Sequence, residues 1–102
     1  MKLMTQELVS KFPPIYSNEE KDPKEILIIA KFFCPWNSWT WYATEYDPGT
    51  GRFFGFVRGD FDELGYFALE ELESVRGPLG LTIERDLYFG VHTLAEAMEK
   101  QI

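Results

Sequence analysis

The sequence has 102 residues, a formal net charge of −7 at pH 7, and hydrophobic and charged fractions of 45% and 26%. A chain of this length supports one hydrophobic core, so we expect a single domain over residues 1–102. These fractions exclude disordered, collagen-like and disulfide-scaffold proteins. The acidic balance disfavours nonspecific binding to nucleic acid or anionic lipid, because like charges repel over about a Debye length, ~8 Å.

The first third of the chain predicts a short helix and one strand. Thr5 can cap a helix that continues to about Phe12 and must end before the two prolines that follow. The polar stretch Ser17–Lys24 predicts a solvated loop. The β-branched run Glu25–Cys34 then predicts the first strand.

Period-two alternation and a run of turn formers predict a hairpin in the middle of the chain. Trp39–Tyr46 alternates with period two, the turn formers Asp47–Gly51 follow, and Arg52–Arg58 resumes an apolar pattern. Leu64–Phe67 predicts a further antiparallel strand. This segment of the sequence therefore indicates sequential antiparallel pairing.

Helical spacing returns in the last third. Leu69–Val75 places its apolar residues on one side, Ile83–Phe89 predicts a strand, and Thr93 with Glu96 forms a capping box for a helix over Leu94–Lys100. The order of elements predicts an α+β fold, with an antiparallel sheet of about four to five strands and short helices packed on it.

A dense acidic run follows the hairpin. Six carboxylates lie within 14 residues: Asp60, Asp62, Glu63, Glu70, Glu71 and Glu73. Such a run is either a solvated face or a surface that selects a basic protein partner through complementary charge. We expect it to be the partner-binding surface, with four of the carboxylates exposed on one side.

Two other functions stay open as alternatives. Sheet aromatics can stack on single-stranded nucleic acid, and the candidates are Trp39, Trp41, Tyr42 and Phe54. A Cys–His enzyme would use the single cysteine, Cys34, and the single histidine, His92. Because one Cys and one His supply too few ligands for zinc, we expect no metal and no cofactor.

The sequence indicates a reducing compartment and no membrane. A single cysteine forms no internal disulfide, and the chain opens without a basic and apolar leader, so we expect a cytoplasmic protein. The longest apolar stretch, Ile26–Ala30, is far shorter than the roughly 20 residues that span a bilayer.

Several segments together resemble a known family. The segments are Lys31–Phe33 with Pro35, Trp39–Asp47, Glu63–Phe67, Glu71–Leu81 and Ile83–Phe89. They are similar to a family of small bacterial proteins of unknown function that plasmids, integrative elements and phages often carry. The likeness runs from Met1 to Phe89, and it implies a mobile-element setting and a cytoplasmic accessory role without assigning a catalytic residue.

These observations favour a non-enzymatic acidic interaction protein of a mobile element. Its carboxylates would imitate a phosphate backbone and inhibit a host defence protein or another DNA-binding protein. The expected partner is a basic protein, with nucleic acid disfavoured as a direct ligand and the oligomeric state open.

Overall fold

A computed structural model describes residues 2–102 of the chain. It contains a five-stranded antiparallel sheet and three short α-helices, which confirms the α+β prediction. The strands are β1 (Ala30–Phe33), β2 (Thr40–Asp47), β3 (Arg52–Arg58), β4 (Asp62–Ala68) and β5 (Glu84–Arg85), and the helices are α1 (Gln6–Val9), α2 (Leu69–Ser74) and α3 (Leu94–Glu99). Single 3₁₀ turns lie at Pro23–Glu25 and Pro78–Gly80.

The strands lie in the order β4-β3-β2-β1-β5, so β4 and β5 form the two edges. Hairpin β2–β3 forms around the turn that the sequence predicted, and β4 pairs with β3 over its full length, from Arg58 opposite Asp62 to Arg52 opposite Ala68. Sequential neighbours therefore account for three of the four pairings, while β5 reaches back to β1.

Helices cover both faces of the sheet. On the first face, Phe32, Ala43 and Phe53 form the main core with Leu72 of α2, and the apolar side of α1 packs against it. On the second face, a smaller core joins Tyr42 to Leu94 of α3. The apolar residues divide between two cores because successive side chains of a strand point to opposite faces of the sheet.

The helices begin where the sequence predicts. Thr5 Oγ1 accepts a hydrogen bond from the backbone N–H of Leu8, and Thr93 and Glu96 form the reciprocal capping box of α3. The observed helices end earlier than predicted. α1 ends at Val9 rather than at about Phe12, and α3 ends at Glu99 rather than at Lys100.

Two predicted strands are much shorter in the structure. Before β1, Ile26 and Ile28 are buried without regular pairing, and only an isolated bridge joins Leu27 to Thr93. After β5, the Asp86 carboxylate accepts a hydrogen bond from the Tyr88 N–H and turns the chain away from the sheet. The prediction of a strand through residue 89 is therefore wrong beyond Arg85.

A bulge interrupts β2 beside its partner β3. Ala43 pairs with Gly55 and Glu45 with Phe54, so Thr44 is the extra residue. The Thr44 hydroxyl donates to the Phe54 carbonyl at 3.1 Å. Gly55 is required here, because a Cβ at this position would lie 1.9 Å from the Tyr42 carbonyl oxygen.

Candidate functional site

All six predicted acidic residues are exposed, and they form two groups rather than one. The first group lies in the β3–β4 turn and at the start of β4 and consists of Asp60, Asp62 and Glu63. The second group lies on α2, which begins directly after β4, and consists of Glu70, Glu71 and Glu73. A seven-residue strand separates the groups by roughly 20 Å. The six carboxylates thus form two groups that flank one edge strand, β4.

Two of the six carboxylates have local structural roles. Asp62 forms an ion pair with Arg58 at 3.0 Å, and the Glu71 carboxylate accepts a hydrogen bond from the backbone N–H of Ala68 at the start of α2. The side chains of Asp60, Glu63, Glu70 and Glu73 are thus the stronger candidates for contact with a partner.

An apolar surface lies between the two acidic groups. Leu64 and Tyr66 are 46% and 47% exposed and occupy alternate positions of β4 on the second face of the sheet. The Tyr66 ring packs edge-on against Phe54 with centroids 5.1 Å apart, and the Arg52 guanidinium lies 4.7 Å above it. The strand therefore presents aromatic and aliphatic surface to solvent.

This surface continues into a cleft of about 290 Å³. Phe54 and Tyr66 contribute to the floor of the cleft. The loop before β1 supplies Tyr16 and Asn18, and Leu94 of α3 contributes to the lining. Because α3 covers only part of the second face, the part nearest β4 stays open. Apolar clefts with a few polar groups are the usual form of a binding site.

A buried carboxylate fastens one wall of the cleft. Glu45 is 3% exposed, and its two oxygens accept backbone hydrogen bonds from Tyr16 at 3.0 Å and from Asn18 at 2.7 Å. The Tyr46 N–H also donates to the Pro13 carbonyl. Tyr16 has a φ of 73°, which is uncommon for a residue other than glycine. Glu45 thus holds this turn against the sheet.

The tyrosines of the cleft contact each other. The rings of Tyr16 and Tyr66 meet edge to face with centroids 6.5 Å apart. A side-chain hydrogen bond with Tyr16 raises the pKa of Tyr66, and desolvation adds to the effect. A raised pKa keeps the Tyr66 hydroxyl protonated at neutral pH at the mouth of the cleft.

Sequence patterns did not mark four residues as parts of a site: Glu45, Tyr16, Leu64 and Tyr66. The position of Glu45 inside an alternating aromatic strand was a signal, since a charged residue there needs hydrogen-bond donors if it is buried. Tyr16 lacked any signal in its own segment, because its place depends on long-range contacts with β2 and β4.

The four aromatic candidates for nucleic-acid stacking do not form one platform. Trp39 and Trp41 are half-buried and pack against the main core, with ring centroids 5.8 Å apart. Tyr42 is buried on the opposite face, and Phe54 is half-buried beneath Tyr66.

Cys34 and His92 lie in different parts of the structure. Cys34 is buried in the main core, and this burial raises the pKa of its thiol. The His92 ring instead packs at a tilt against the Phe89 ring and contacts the Glu96 carboxylate at 3.1 Å, on the second face. The structure therefore does not assemble the Cys–His pair that the enzyme alternative requires.

Over residues 2–102, no three Cys, His, Asp or Glu side chains are grouped as metal ligands. The helices in this part of the chain are also too short to cross a bilayer.

Comparison with family models identifies the chain. A model described as "Protein of unknown function (DUF2958)" matches residues 3–100. The chain belongs to this family. No curated protein and no solved structure matches it.

Proposed function

We propose that this member of the family is a non-enzymatic interaction protein that binds a basic protein partner through β4 and the acidic groups at its two ends. One observation carries the proposal: an exposed apolar strand lies between two groups of exposed carboxylates. Exposed apolar surface rimmed by charged residues is typical of protein-binding sites.

Charge supports a basic partner. The net charge of −7 attracts cationic surfaces before contact, and the carboxylates beside β4 concentrate this attraction at the apolar strand. Arg52 and Arg58 of β3 offset part of the local charge, but Arg58 is already paired with Asp62. The surface keeps a negative excess.

The partner class follows from the sequence resemblance. Proteins encoded by mobile elements meet host enzymes that bind DNA through basic grooves. We therefore propose a host DNA-binding protein, such as a defence enzyme, as the partner, and a cytoplasmic place of action. The acidic surface would compete with the phosphate backbone for the basic groove.

Two charge-reversed variants test this proposal. The first replaces Asp60, Glu70 and Glu73 with Lys, and the control replaces Glu20, Glu25 and Glu99, which are exposed elsewhere. Both triple variants change the net charge equally, so a difference between them reports position. Immobilised wild-type protein, the variant and the control are each exposed to host lysate at low and at high salt.

We expect the wild type and the control to capture the same basic protein, and the first variant to lose it. Binding of the purified partner should weaken steeply as salt rises, because screening removes the attraction. A captured protein that binds both triple variants equally and ignores salt would show that the carboxylates only solvate the surface.

A further inference from the structure

β4 leaves one backbone edge without a neighbouring strand among the described residues. Its other edge pairs with β3 at all seven positions, and β4 is terminal in the sheet order. An edge strand presents outward N–H and C=O groups that can pair with another extended chain. β4 contains no proline that would remove a donor.

The side chains of β4 define what such a chain would meet. On the second face, the incoming strand would lie beside Leu64 and Tyr66, whose exposed surfaces lead into the cleft at Tyr16. Directly opposed and diagonal side chains contact each other across paired strands. Two alternate apolar positions in the incoming chain would therefore cover this surface.

Charge decides which chain can add to β4. In antiparallel self-pairing, Asp62 and Glu63 of one copy approach the Glu70 end of the other. In parallel self-pairing, Asp62 approaches Asp62 of the second copy. Either arrangement brings carboxylates together, and like charges across paired strands are destabilising. A second copy is thus disfavoured, whereas a basic segment meets opposite charge at both ends.

We propose that β4 binds an extended segment of the partner as a sixth strand, with basic residues at both ends of the segment and apolar residues at alternate positions between them. Main-chain hydrogen bonds to β4 hold the segment, and the flanking carboxylates select its charge. This inference rests on the proposed function and gives it a binding mode and a ligand pattern.

Three synthetic peptides, blocked at both termini, test the proposal. The first has two lysines at each end of an alternating Val and Thr centre, the second has glutamates in place of the lysines, and the third keeps the lysines but has proline at the central position. Hydrogen exchange of the β4 amides and the affinity of the full-length protein are measured for each.

We expect the lysine peptide to bind and to slow exchange of amides in β4, and the glutamate peptide not to bind. The proline peptide keeps the charge but loses pairing, so it should bind about tenfold more weakly and give no protection. Leu64→Lys should weaken binding of the lysine peptide by a similar factor. The control Leu87→Lys, at an exposed position outside the cleft, should leave this binding unchanged.

The outcomes separate the binding mode from the proposed function. If the proline peptide binds with the same affinity as the lysine peptide, or if binding leaves the hydrogen exchange of the β4 amides unchanged, strand addition is wrong. Capture of a basic partner by charge still stands in that case. If the lysine peptide does not bind at all, the ligand pattern is overturned. The proposed function itself fails only on the capture experiment with the two triple variants.

Discussion

Glu45 shows how one buried residue can shape a binding surface. Its buried carboxylate accepts backbone hydrogen bonds from Tyr16 and Asn18, and these bonds hold the turn that forms one wall of the cleft. Carboxylates with two backbone donors are strongly fixed, because leaving the donors unsatisfied in a buried place is costly.

We predict that Glu45→Ala lowers the free energy of unfolding by about 1–3 kcal/mol, the usual cost of leaving buried polar groups without partners. Urea unfolding measures the change, and amide exchange at Tyr16 should become faster. The exposed Glu20→Ala is the matched control and should stay within about 0.5 kcal/mol of the wild type. Equal stability of the two variants would contradict the role given to Glu45.

Alanine substitution should have opposite effects on stability at two glycines of neighbouring strands. Gly55→Ala forces a Cβ onto the Tyr42 carbonyl oxygen, so we expect a loss of at least about 2 kcal/mol. Gly65→Ala introduces a Cβ into open space, so it should leave stability unchanged or raise it by up to about 1 kcal/mol. Thermal unfolding of both variants measures the contrast, and similar melting temperatures would refute it.

At the scale of elements, the sequence predicts those whose signals are local. The turn formers after β2, the capping box of α3 and the helical spacing of α2 each act within a few residues, and each element forms where it was predicted. The predicted strand over Ile83–Phe89 forms only in part, as β5. An apolar pattern becomes a strand only where a neighbouring strand pairs along it, and β1 offers just two pairing positions.

The cleft could not be predicted for a related reason. Its lining combines the loop before β1 with β2, β3, β4 and α3, so it depends on how distant elements pack. The acidic residues were recognised from their density, and their exposure followed from helical spacing. Their division into two groups depended on the full length of β4, which the sequence predicted only as Leu64–Phe67.

The start of α3 gives a prediction about pH. The backbone N–H of Thr93 donates to the Glu96 carboxylate, which lowers the pKa of Glu96, and a side-chain hydrogen bond with His92 adds to this effect. A lowered pKa means that Glu96 stabilises the fold above its ordinary pKa, about 4.3, and that this contribution is lost as pH falls through the lowered value.

We therefore expect Glu96→Gln to reduce the free energy of unfolding at neutral pH, and the difference from the wild type to shrink below about pH 4. Urea unfolding at a series of pH values measures this difference. The control Glu99→Gln changes an exposed carboxyl of the same helix and should show a smaller effect at neutral pH. A wild-type advantage over Glu96→Gln that is constant down to pH 3 would exclude the linkage.

At the scale of the whole molecule, the net charge of −7 acts against compactness through self-repulsion. We predict that the melting temperature rises between about 20 mM and 300 mM sodium chloride, because the Debye length shortens. The triple variant at Glu20, Glu25 and Glu99, with a net charge near zero, should show a smaller rise. Calorimetry measures both, and equal salt dependence would argue against repulsion as the cause.

The placement of the tryptophans has a spectroscopic consequence. Trp36, Trp39 and Trp41 all pack against the main core on the first face, and the lining of the cleft on the second face contains tyrosines but no tryptophan. Fluorescence excited at the red edge, where only indole absorbs, would follow unfolding, whereas tyrosine emission would respond to a ligand over Tyr16 and Tyr66. Loss of structure and occupancy of the cleft thus have separate optical signals in the unlabelled protein.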